Sequence, residues 1–77
     1  MKLSELKAYG VCRIVGIDEY ELTKRLTGLG FYKGAEAVRL FSAPNGDPTA
    51  YLIRGTVVAL RERDAERISV EVNKAWA

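Results

Sequence analysis

Residues 42–61, SAPNGDPTAYLIRGTVVALR, break the chain twice at tight turns, and that punctuation constrains the fold more than any other stretch. Asn45-Gly46 favours positive φ, Asp47 offers a side chain that bonds locally to backbone, and Pro48 is tolerated as the first residue of a strand. Tyr51 and Ile53 then alternate with Leu52, Arg54-Gly55 makes the second reversal, and Thr56 to Arg61 reads as the next strand. The strands follow one another as a meander. The same loop fails as a phosphate cradle, which needs GxxxxGK[ST] between a strand and a helix so that successive N–H groups hold the anion. Here there is one glycine, Gly46, no following Lys-Ser/Thr, and Pro44 and Pro48 remove two donors.

Upstream, Val11 to Ile17 is rich in β-branched residues and bounded by Gly10 and Asp18, so it reads as a first strand. Its faces, Cys12/Ile14 and Val11/Val15, are both expected to be partly covered. Asp18 is placed to cap a following helix, with Glu21 able to bond back to the cap, and Leu22, Leu26 and Leu29 fall on one stripe that predicts a core face. Gly30 sits where a left-handed C-cap belongs, and Phe31 just beyond is placed to pack back on the last turn. Gly28 costs a helix roughly 1 kcal/mol relative to Ala, which predicts close approach by a neighbouring strand.

After a turn at Gly34, Glu36 to Phe41 reads as a second strand with imperfect alternation: Val38 and Leu40 share one face, and Ala37, Arg39 and Phe41 share the other. A bulge would reconcile the two sets. Asp64-Ala65 reads as a single helical turn, and Ile68, Val70 and Val72 alternate with Ser69 and Glu71 as a last strand with one buried face. The predicted fold is mainly β: five short strands in a small, partly open barrel, with one amphipathic helix after the first strand and a helical turn before the last.

The 77 residues fit a single domain, read as 1–77 with residues 74–77 as a tail that carries the one tryptophan, Trp76. At 48% hydrophobic residues the chain is too apolar to be disordered. The single Cys12 has no disulfide partner, and the N-terminus MKLSELKAYG lacks the apolar stretch of a secretory signal; both predict a reducing cytoplasm. No apolar run approaches the ~20 residues that would span a bilayer, so direct membrane insertion is not expected. A net charge of +2 from 12 basic and 10 acidic residues, interspersed as in RERDAER, argues against strong capture of nucleic acid or anionic lipid.

Catalytic chemistry finds little to work with. The chain has no His, and no nucleophile is paired with an orienting base, so the sequence reads as non-enzymatic. Metal binding lacks a ligand set as well: there is one Cys, and Glu62, Asp64 and Glu66 alternate with Arg61, Arg63 and Arg67 as a solvated, salt-bridged face. Cys12, inside an apolar strand, reads as a small core residue. No cofactor and no resident metal are expected.

The order of motifs resembles the FeoA family, the small cytoplasmic accessory proteins of bacterial ferrous-iron transport. The resemblance is carried by KRLTGLGFYKG at 24–34, APNGDP at 43–48, RG at 54–55, ALR at 59–61, DA at 64–65 and ISV at 68–70. It implies an SH3-like barrel and a role beside FeoB, a membrane transporter with a cytoplasmic GTP-binding domain. Two positions depart from the family pattern: Asn45 stands where a bulky apolar residue is usual, and Arg39 where a core aliphatic is usual. The SH3-like C-terminal domain of iron-responsive repressors is a second resemblance, set aside because Met1 starts at the barrel.

If a FeoB-like transporter is the partner, the residues with a surplus beyond folding are Lys24 and Arg25 on the outer helix face, Gly28 beside them, Tyr32 in an exposed turn and Asp47 in the loop. Self-association is compatible with the sequence. The alternative reading is a small-barrel nucleic-acid-binding protein, against which stand the mixed, near-neutral surface and the lack of paired exposed aromatics.

Overall fold

The computed structural model describes residues 1–72; the tail at 74–77, with Trp76, lies outside the described residues. In chain order the elements are β1 (Val11–Ile17), α1 (Thr23–Leu29), β2 (Glu36–Ser42), β3 (Thr49–Ile53), β4 (Thr56–Leu60), α2 (Glu62–Ala65) and β5 (Ile68–Glu71). All pairings are antiparallel, and the strands form one sheet in the order β4-β3-β2-β1-β5. The predicted mainly β architecture holds, and the barrel is partly open because β4 and β5 end the sheet without meeting.

The turns form for the reasons their residues suggest. Arg54 and Gly55 have φ of 50° and 78°, both positive, as a two-residue hairpin of the right twist requires. In the longer loop Gly46 takes a φ of 90° and donates to the Ala43 carbonyl at 2.7 Å. The local side-chain bond comes from Asn45, whose Oδ1 accepts the Asp47 N–H at 3.3 Å. Asp47 itself reaches away from the turn, contrary to expectation, because its carboxylate finds a backbone donor on α2.

The irregular second strand has a located cause. Between Arg39 and Ser42 the β2 register advances one residue more than its partner β3, so a bulge falls at Leu40 and Phe41 and throws the Phe41 side chain to the surface. A second bulge between Ile14 and Gly16 in β1 turns Val15 outward, which is why only the Cys12/Ile14 face of that strand is buried. The last strand ends at Glu71, so Val72, expected on its buried face, is exposed instead.

The core gathers on the inner side of the sheet around Ile14, Phe31, Tyr51, Ile53 and Ile68, with Phe31 packed edge-on to Tyr51 at 6.5 Å between ring centres. Leu3 and Leu6, from a 3-10 turn at Leu3–Glu5 that carries no signal in the sequence pattern, are as deeply buried as the strand residues. The segment holding them covers the outer edge of β5: Val70 N–H donates to the Met1 carbonyl at 2.8 Å, and Lys2 bridges Ser69. Half-buried Arg39 also ties this segment down, its guanidinium donating to the Leu6 carbonyl and to Ser42 Oγ, which accounts for a charged residue at a near-core position.

The helix follows its predicted end but not its predicted start. Gly30 adopts a φ of 114°, its N–H donates to the Thr27 carbonyl and that of Phe31 to the Leu26 carbonyl, closing the helix as expected. At the other end the helix begins only at Thr23. Asp18 does not cap it; instead the Thr23 hydroxyl accepts from Tyr20 N–H at 2.8 Å and donates to the Asp18 carbonyl at 2.7 Å, holding residues 18–22 as a turn. The leucine stripe divides as well: Leu26 is buried, Leu22 half-buried and Leu29 exposed at 38%. Close approach to the strands occurs at Gly30, not Gly28. A Cβ on Gly30 would lie 2.9 Å from Arg54 Cγ and 3.1 Å from Ile53 Cγ1, whereas nothing lies within 4 Å of one on Gly28.

Candidate functional site

Two tertiary ties hold α1 alongside β4, one edge strand of the sheet. Just before the helix, the Tyr20 hydroxyl donates to Asp64 Oδ1 of α2 at 3.0 Å, and at its end Gly30 abuts Ile53 and Arg54 of the β3–β4 turn. The chain between these ties runs beside β4 without pairing with it. Burial first, and then the Asp64 carboxylate, hold the Tyr20 phenol above its ordinary pKa, so this tie persists through neutral pH.

The space between helix and strand is a groove of about 430 Å³, lined by Leu22 just before α1, by Arg25, Leu26 and Leu29 of α1, by residues 56–61, and by Asp64. This volume lies in the range of roughly 300–1,000 Å³ typical of ligand pockets. Among the described residues β4 pairs only with β3, through partners from Ile53↔Thr56 to Thr49↔Leu60. In a two-residue hairpin the residues flanking the turn form a hydrogen-bonded pair and the pairs then alternate. By that alternation the N–H and C=O groups of Val57 and Ala59 point away from β3, along the open edge. Val57 is 58% exposed.

The residues singled out from sequence do not converge on one place. Arg25 lines the groove, while Lys24 is exposed on the helix and does not. Gly28 is exposed with open space around it. Tyr32 lies beyond the helix end, with the Arg54 guanidinium 6.0 Å from its ring centre. Asp47 belongs to a separate polar recess with Arg61, Glu62, Arg63 and Glu66, where it accepts the Glu62 N–H at 2.9 Å and faces Arg61 at 3.9 Å. Leu22, Leu29, Val57 and Ala59 went unread as a surface, because a leucine stripe and a TVVAL strand both signal core until the neighbouring elements are placed.

The residues present do not fit a resident metal. Among the described residues no group of three or more His, Cys, Asp or Glu side chains is gathered to hold an ion. Cys12 is fully buried, and desolvation pushes its thiol up to about 11, leaving it protonated and inert at neutral pH.

The FeoA domain pattern matches residues 1–72. The chain belongs to the FeoA family. Its fold superimposes on FeoA from Chlorobium tepidum with a TM-score of 0.88 at 36% identity, covering 94% of this chain and 70% of that one. Iron(II) transport protein A from Clostridium thermocellum gives a TM-score of 0.88 at 40% identity, with 94% of this chain matched but only 45% of the other. Zinc-complexed FeoA from Stenotrophomonas maltophilia, described as a prokaryotic SH3 domain protein and a candidate ferrous iron transport activating factor, gives 0.81 at 30% identity over 92% and 89% of the two chains. Among curated proteins no match was found. Family membership therefore accounts for the SH3-like architecture and links the chain to ferrous-iron transport. No helix among the described residues is long and apolar enough to cross a membrane.

Proposed function

We propose that this chain is a non-enzymatic accessory module of ferrous-iron uptake that acts in the cytoplasm by binding a FeoB-type transporter and adjusting its assembly or activity. Family membership supplies the system. The observation that supports binding, rather than chemistry, is the open groove between α1 and β4: an apolar wall and an unpaired strand edge with an arginine beside them form a surface for another chain.

The test is co-purification with, and titration against, a detergent-solubilised FeoB from the same genome, using Arg25→Glu and Lys24→Glu separately. Wild type is expected to associate. Arg25→Glu is expected to weaken association by about 1 kcal/mol, with the loss shrinking as salt rises, because exposed charges act mainly through screened attraction. Lys24→Glu, off the groove, is expected to cost less. Absence of any association at low salt would overturn the proposal.

A further inference from the structure

We infer that the α1–β4 groove is a strand-addition site: an extended, acidic and aliphatic segment of a partner protein pairs with the free edge of β4 and lays its inward side chains against α1. The inference rests on the proposed docking of a partner in this groove, and it specifies the form that partner takes.

The sheet treats its two ends differently. The β5 edge is covered by the chain's own N-terminus, through the Val70–Met1 bond and the Lys2–Ser69 bridge. Among the described residues the β4 edge has no such cover, although exposed edges are a liability that folded proteins usually blunt with charge, proline or a covering element. No charged residue and no proline occurs within TVVAL. Helix α1 stands beside this edge instead of on it, held off by ties at its two ends, and the gap left between them is the groove.

Strand addition uses two features together: a row of unpaired backbone groups and pockets for alternate side chains. The hairpin alternation supplies the first at Val57 and Ala59. The second comes from period two: an added strand sends every other side chain into the gap between Val58/Leu60 and Leu22/Leu26/Leu29, where aliphatic groups fit. The charge of the occupant is set by Arg25 and Arg61, which both line the groove, while the one carboxylate there, Asp64, already accepts from Tyr20. A carboxylate on the incoming strand complements the two arginines.

A second copy of this chain fits poorly as the occupant. Its own β4 edge is flanked by its own α1, so pairing the two edges would drive helix against helix. A single extended segment meets no such obstacle.

The test uses the full chain and a capped ten-residue peptide alternating valine with glutamate and threonine, with two controls: lysine in place of glutamate, and proline at the central position. Amide hydrogen exchange at Val57 and Ala59 is the readout. The acidic peptide is expected to slow both amides by at least about tenfold, the controls to have little effect, and the amides of β5 to stay unchanged. Ala59→Pro removes one edge donor at a position where a strand edge tolerates proline, and Arg25→Glu leaves the edge intact; both are expected to unfold near the wild-type midpoint, the first abolishing the protection read at Val57 and the second reducing it at both amides. No protection, equal protection by the lysine peptide, or protection that grows with protein concentration in the absence of peptide would each overturn the inference. Retained association of Ala59→Pro with FeoB would overturn strand addition and leave the transporter reading standing. Failure of wild type to bind FeoB would count against that reading alone, since the peptide arm decides strand addition without it.

Discussion

Asp47 Oδ1 accepts the backbone N–H of Glu62 at 2.9 Å, so the β2–β3 loop caps the first turn of α2 from fifteen residues away. The N-cap position itself is Arg61, which has no side-chain acceptor, and its guanidinium faces the same carboxylate at 3.9 Å. Asp47→Ala is therefore expected to cost roughly 0.5–2 kcal/mol, the usual worth of an N-terminal cap. A urea denaturation midpoint unchanged from wild type would refute this role and return Asp47 to the pool of partner-binding residues.

Gly28 and Gly30 are expected to respond to alanine with opposite signs. At Gly30 the positive φ and the 2.9 Å approach of Arg54 Cγ leave no room for a Cβ, so Gly30→Ala should destabilise by more than about 1 kcal/mol. Gly28→Ala meets open space within the helix and should raise stability by up to about 1 kcal/mol. Thermal unfolding of the two variants side by side checks the pair, and a loss of stability in Gly28→Ala would contradict it.

Leu26 and Leu29 lie on one sequence stripe but in different surroundings. Leu26→Ala, at 3% exposure, is expected to cost roughly 2–5 kcal/mol through lost transfer energy and a cavity, enough to remove most of the stability of so small a domain. Leu29→Ala removes a side chain that is already 38% exposed and lines the groove, so its cost should stay below about 1 kcal/mol. Similar denaturant midpoints for the two variants would mean that the groove is not open in solution.

Stability is expected to fall at alkaline pH. Burial raises the Cys12 thiol from its ordinary 9.0 to about 11, so the native state keeps this proton where the unfolded chain has lost it. The stabilisation is complete below pH 9, declines as pH rises, and is gone above about 11; a shift of this size corresponds to roughly 2–3 kcal/mol. The Tyr51 phenol, raised by burial against the opposing charge of Arg39, adds a loss of the same sign at higher pH. Cys12→Ala should flatten the dependence between pH 9 and 11, measured as unfolding free energy, and an unaltered slope would refute the assignment.

Local geometry was legible in the order of residues. Each strand, the end of α1, the hairpin at Arg54-Gly55 and the helical turn before β5 could be read because their causes lie within a few residues: a glycine where φ must be positive, an aliphatic alternation, a short cap. The need for a bulge in β2 was legible too, though its place at Leu40 and Phe41 appeared only when β3 supplied the opposing register. Long-range packing was needed to settle which apolar residues meet water and which polar ones bond across the chain. Leu3 and Leu6 enter the core because the N-terminus crosses the β5 edge, and Asp47 abandons its own turn because α2 brings an unsatisfied N–H within reach. Leu29 and Val57 face a groove because α1 is held beside β4 without closing on it. Turn and helix signals are properties of neighbouring backbone, whereas burial is a property of whatever distant element arrives opposite, and in this chain the candidate site is made of that second kind of fact.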